Sequence, residues 1–189
     1  MEHDKDTQVI DEYIITEDTL AILPVKHIEY SSVVYELGEG YYVRQTPMQI
    51  IKASCKAYHS SYDGRREATI SLTNAKYKSP IIIRERDDLL AFPTISPKKF
   101  ECAWILATHI KTIENPNNES CIIFNNGFPL TLAISFHCLQ SQLNTTQHLH
   151  YLLTKETSEQ KTAKTDLYVR LSQKEAEALA LLKELLDKL

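Results

Sequence analysis

Glycine is scarce in this chain, with four residues in 189. Positions 38, 40, 64 and 127 cannot build a G-x-G-x-x-G turn or a Walker loop, so a glycine-rich phosphate cradle is excluded. Cysteine is equally sparse: Cys55, Cys102, Cys121 and Cys138 lie far apart, with no C-x-x-C. That spacing suits free thiols in a reducing compartment, where cysteine acts as a small hydrophobe. No apolar run approaches the length that spans a bilayer. The opening Met1-Glu2-His3-Asp4-Lys5-Asp6 is acidic and has no apolar core, so it is not read as a secretory leader. A cytoplasmic protein is the expectation.

Signs of catalysis are also missing. Ser61, Cys55 or Cys102 could be paired with His59 or His109, yet no G-x-S-x-G elbow or reactive-thiol context surrounds them. Cys55 and His59 are four apart, and His137 adjoins Cys138, but neither pair has a second pair at zinc-site spacing. No enzyme, metal or cofactor is expected.

What the chain does have is an uneven charge. Its net charge is −4. Residues 1–43 hold 2 basic and 10 acidic side chains, a net of −8. Residues 44–99 hold 11 basic and 5 acidic, a net of +6, and residues 100–189 return to −2. One cationic block in an acidic chain points to a localised polyanion site; a solvated surface with charges scattered by chance is the alternative.

The local patterns predict an α+β chain. Tyr13–Ile15 and Leu20–Leu23 around Glu17-Asp18 predict a hairpin, and Ser32–Glu36 with Tyr41–Arg44 around Gly38-Glu39-Gly40 predict a second. Thr46-Pro47-Met48-Gln49 has the cap, proline and glutamine of a helix start, and that helix runs to Tyr58 or His59. Ile51, Cys55 and Tyr58 share one stripe of it, and Lys52, Lys56 and His59 the next. Tyr62–Arg66, after the Ser60-Ser61 pair, reads as a loop, and Glu67–Asn74 is ambiguous. Ile81–Ile83, Leu89–Phe92 and a long Cys102–Ile113 segment read as strands. Asn125-Asn126-Gly127 between apolar runs marks another hairpin. Ser135 caps a helix through Leu153, residues 154–171 read as a polar linker, and Ser172-Gln173-Lys174-Glu175 opens an amphipathic C-terminal helix to residue 189. The expected organisation is an antiparallel, strand-rich domain over 1–153 with two internal helices, then a tether and that last helix.

Within the cationic block, Arg44, Lys52, Lys56, Arg65, Arg66, Lys76, Lys78, Lys98 and Lys99 are the candidates. Several cations together suit phosphates, because neutralising them releases condensed counterions. Arginine adds a planar fork that fits a narrow minor groove. Tyr62 could stack or hydrogen-bond beside Arg65 and Arg66, with Gly64 letting a backbone approach closely. Solvated arginines and a packed Tyr62 are the alternative. The leucine-rich C-terminal helix leaves a second function open: a protein-interaction module that never touches nucleic acid.

Six blocks in order carry a resemblance: Pro47-Met48-Gln49-Ile50-Ile51 with Ser54-Cys55, Ser60-Ser61-Tyr62-x-Gly64-Arg65-Arg66, Lys78-x-Pro80-Ile81, Phe92-Pro93-Thr94-x-Ser96, Cys102-x-Trp104-Ile105 and Phe124-x-Asn126-Gly127. From about residue 13 to residue 153 the chain resembles the competence transcription factor family, ComK. The resemblance implies an activator of DNA-uptake genes that recognises paired AT-rich boxes in double-stranded DNA, largely through the minor groove. It implies self-association as a dimer or a dimer of dimers, a place on the nucleoid, and no membrane. Tyr62, Gly64, Arg65, Arg66, Lys78 and Pro80 fall in family blocks, while Lys52, Lys56, Lys76, Lys98 and Lys99 rest on charge. The family's C-terminal region is read by a proteolytic adaptor. Leu167–Ser172 is the candidate here, in a sequence that departs from the usual family pattern.

Overall fold

The computed structural model describes residues 9–86, 88–116 and 119–155. The chain divides into two units, Met1–His150 and Tyr151–Leu189. The expected linker over 154–171 lies outside the described residues except for its first two positions, which are helical. The C-terminal helix and the Leu167–Ser172 segment fall outside them entirely.

The fold is α+β. Its strands are β1 (Val9–Ile10), β2 (Thr19–Pro24), β3 (Ser32–Glu36), β4 (Gly40–Val43), β5 (Ile81–Arg84), β6 (Leu89–Pro93), β7 (Trp104–Leu106), β8 (Ile110–Glu114), β9 (Ser120–Phe124) and β10 (Pro129–Leu132). Helices α1 (Pro47–Ala57) and α2 (Tyr62–Thr73) sit between β4 and β5. Helix α3 covers 136–155. Seven strands form one sheet in the order β1-β4-β3-β2-β7-β6-β5, and three form another in the order β10-β9-β8. All pairs are antiparallel except β1 with β4.

Strands β2, β7, β6 and β5 of the seven-stranded sheet are buried along most of their length, on both faces. Alternate residues of its central strands enter two different cores. Ile22, Ala91, Trp104 and Leu106 join Ile50, Ile51 and Cys55 of α1 in one cluster. Ala21, Phe92 and Ile105 join Ile122, Phe124 and Leu130 of the small sheet, with Leu139 and Leu143 of α3, in the other. Strands covered on both sides lose the alternating polar pattern and read as continuous apolar runs.

Two segments expected to be strands form otherwise. Cys102–Ile113 is not one strand. It forms β7 in the large sheet, a 3-10 turn over Ala107–His109, and β8 in the small sheet. The change of sheet falls between a fully buried strand and one that buries Ile113 alone, and no proline or glycine marks it in the sequence. Tyr13–Ile15 is not a hairpin arm either. Its amides are taken by side chains: Tyr13 N–H donates to Gln45 Oε1 (3.0 Å), Ile15 N–H to Ser54 Oγ (2.9 Å). Tyr58 Oη donates to Ile15 O (2.9 Å), so the segment pairs with α1 instead of β2. The largest departure is α2, since the expected Tyr62–Arg66 loop is helix throughout.

Other expectations hold. The β3–β4 hairpin forms around Gly38-Glu39-Gly40. Thr46 and Gln49 complete the capping box of α1, which ends with Tyr58 as its C-cap. Gly127 takes the left-handed φ of +84° in the β9–β10 turn. Cys138 N–H donates to Ser135 Oγ (3.3 Å) at the start of α3.

Ser54 is fully buried and carries the Ile15 amide. Ser54→Ala strands that N–H in the core, at a cost of about 1–3 kcal/mol. A lowered urea midpoint with an unchanged slope checks this. Burial pushes the Cys102 thiol up to about 11, so it stays protonated near neutrality. Iodoacetamide at pH 8 is therefore expected to modify half-exposed Cys138 and to spare buried Cys55, Cys102 and Cys121, as peptide mass mapping would read. Labelling of Cys102 as fast as Cys138 would contradict its placement.

Candidate nucleic-acid interface

Helix α1 places two lysines by its turn geometry. Its inner side buries Ile50, Ile51, Ser54 and Cys55. Met48, Lys52 and Lys56 lie one turn apart along another side, about 6 Å per step. Lys52 and Lys56 are exposed. Met48 lines a surface cleft of ≈ 340 Å³ together with Thr46, Pro47, Pro97, Lys98, Lys99, Phe100, Cys102 and Trp104. The cationic row therefore runs from Lys98 and Lys99, past the start of α1, to Lys52 and Lys56. Lys26 extends it, with Nζ 5.6 Å above the Phe100 ring. Among the described residues, none of Lys52, Lys56, Lys76, Lys98 and Lys99 is in an ion pair with another described residue.

Helix α2 holds its residues differently. Ser61 is the N-cap, and its Oγ accepts from Gly64 N–H (3.0 Å). A Cβ at Gly64 would stand 3.1 Å from that oxygen, so the small residue leaves room for the cap. Tyr62 packs edge-on to Trp104, with centroids 6.3 Å apart. Burial raises its hydroxyl pKa, while Arg66 opposes the rise. The exposed side of α2 carries Asp63 and Glu67, one turn apart.

Arg65 and Arg66 are half-buried on this helix. Arg65 donates to Tyr58 O (3.4 Å), the C-cap carbonyl of α1. Arg66 donates to Lys76 O (3.0 Å) in the segment after α2. Lys78 sets Nζ 2.8 Å from Cys138 Sγ, and its backbone has a φ of +50°. Other arginines of the cationic block are also held. Arg44 pairs with Asp11 at 2.9 Å. Arg84 pairs with Glu17 at 2.8 Å and lies 4.8 Å over the Tyr58 ring.

The structure thus gathers Lys52, Lys56, Lys98 and Lys99 around α1, and leaves Lys76 exposed at the turn between α2 and β5. Tyr62, Gly64, Arg65, Arg66 and Lys78 are engaged with protein atoms. The sequence reading missed Lys26 and Tyr77. Tyr77 is 88% exposed and flanked by lysines, a signal visible as Lys76-Tyr77-Lys78.

A family model described as ComK protein matches residues 10–158. A competence transcription factor from Bacillus subtilis (strain 168) is 30% identical over 142 residues, covering 74% of this chain and 74% of that protein. No solved structure matches the chain with significance. A match over most of the chain, joined to a curated relative of this coverage, means that the chain belongs to the ComK protein family.

Proposed function

We propose that this protein is a DNA-binding transcriptional activator of competence genes. It recognises AT-rich promoter boxes mainly through the minor groove and performs no catalysis. Its similarity to the competence transcription factor of B. subtilis supports the first part. The observation that carries the reading is the row of exposed lysines from Lys98 and Lys99 along α1 to Lys52 and Lys56. Such a row suits a phosphate backbone, whose neutralisation supplies most sequence-independent affinity.

In this reading Lys52, Lys56, Lys76, Lys98 and Lys99 take phosphates. Arg65, Arg66, Tyr62, Gly64 and Lys78 shape the surface that presents them. Selectivity for A·T tracts comes from groove width and deformability, which need no helix in the major groove. Self-association as a dimer or dimer of dimers sets the spacing of paired boxes. The protein works on the nucleoid in the cytoplasm, and a proteolytic adaptor reads its C-terminal region.

The test is a fluorescence-anisotropy titration of the full chain on a labelled AT-rich promoter duplex across a salt series. Affinity is expected to fall steeply with salt. It should exceed that for a GC-rich duplex, and netropsin, which fills the minor groove, should compete. Lys52→Ala with Lys56→Ala is expected to flatten the log–log salt slope by about 2, near 0.9 per lost phosphate contact. Absence of binding at low salt, or a slope unmoved by the double substitution, would refute the reading.

A further inference from the structure

Residues 75–79 form a short tip between α2 and β5, and it is pinned from several directions. Ala75 N–H donates to Thr73 Oγ1 (3.2 Å), and Lys76 N–H donates to Asn74 O (3.0 Å). Ser79 Oγ donates to Ala75 O, closing the tip on itself. Arg66 holds Lys76 O from α2. Gln142 of α3 donates to Lys78 O (2.8 Å) and to Pro93 O (2.9 Å), tying the tip to β6. The left-handed backbone of Lys78 turns the chain, and its ammonium faces Cys138. Ser79 and Pro80 are then buried.

Within this braced tip Tyr77 stands 88% exposed, beside exposed Lys76. A loop fixed in this way loses little further entropy on binding, the condition that makes a contact residue effective. A ring left in water forgoes the burial that an aromatic side chain favours. The surrounding charge selects the partner: no acidic residue occurs between Glu67 and Glu85, while Lys76, Lys78 and Arg84 do.

We propose that Tyr77 contacts DNA directly, its ring packing against the sugar wall of a groove while Lys76 takes a phosphate. Arg66 and Gln142 are positioning residues that hold the tip in place. This assignment rests on the DNA-binding reading and deepens it. It moves Arg66 from the duplex to the support of a residue that touches it.

The same anisotropy assay on the AT-rich duplex separates the two ideas. Tyr77→Ala is expected to weaken binding roughly tenfold at fixed salt, the scale of one lost aromatic burial. Its salt slope should match the wild type, because a phenol ring displaces no counterion. Lys76→Ala should instead flatten the slope by about 1. Tyr77→Phe should keep the affinity. Arg66→Ala and Tyr77→Ala combined should cost less than the sum of the two, since both act at one tip. Trp104 fluorescence and circular dichroism report that each variant is folded. If the wild type binds and Tyr77→Ala binds equally well, the inference fails and the DNA reading stands. A loss in Tyr77→Phe as large as in Tyr77→Ala overturns the ring contact, and additive costs overturn the positioning role of Arg66. If the wild type does not bind the duplex, both readings fall together.

Discussion

Burial of the central strands of the seven-stranded sheet on both faces is the constraint from which the rest of the described fold follows. β7 shows it most simply: Trp104 and Leu106 enter one core, and Ile105 enters the other. With no polar face available on these strands, charged side chains are displaced to helices, turns and strand ends. Helix α1 covers one face and has a single outer side left for lysines. The Lys98-Lys99 turn lies where β6 and β7 are connected, beside the start of α1. The cationic row is therefore a by-product of how the sheet is covered, available to a polyanion at no cost to the core.

Packing also determines which segment of the N-terminal region becomes a strand. Tyr13–Ile15 has the composition of β2, but its amides meet Gln45 and Ser54 before they can meet a neighbouring strand. Tyr13 Oη bonds Thr19 and Glu36, and burial followed by the Glu36 bond raises its pKa well above the ordinary phenol range. The neutral phenol is the form the fold stabilises. Its contribution is complete below the unfolded pKa near 10 and is lost only as pH rises beyond it.

Legibility from the sequence follows the same physics. The start of α1 was readable because Thr46, Pro47 and Gln49 act locally, and the β9–β10 turn was readable because Gly127 needs its positive φ. Helix α2 was not. It has Gly64 in its first turn and β-branched Thr69, Ile70 and Thr73 further on, all poor helix formers. Its inner face is weakly apolar, with Thr69 as its buried residue. Tertiary contacts, including Tyr62 on Trp104, override that preference. The basic residues of the site were legible as a cluster along the chain. Their division into exposed and engaged cations was not, because it depends on carbonyl partners seven and ten residues away.

That division decides how the cations can be used. An arginine that leaves a backbone carbonyl for a phosphate strands an acceptor, at a cost of about 1–3 kcal/mol where the acceptor is buried. An exposed lysine gives up only rotamer freedom, on the order of 2 kcal/mol at most, and regains it as counterions leave the duplex. By this measure Lys52, Lys56, Lys98 and Lys99 are freer to take up a polyanion than Arg65, whose carbonyl partner is part-buried. The carboxylates Asp63 and Glu67 on the outer side of α2 favour the same choice, since a duplex laid there would meet like charge. The Ser60–Arg66 block thus has a structural reason to exist even apart from DNA. Ser61 and Gly64 start a helix, Tyr62 seats it on Trp104, and its two arginines fasten it to the end of α1 and to the tip that carries Tyr77.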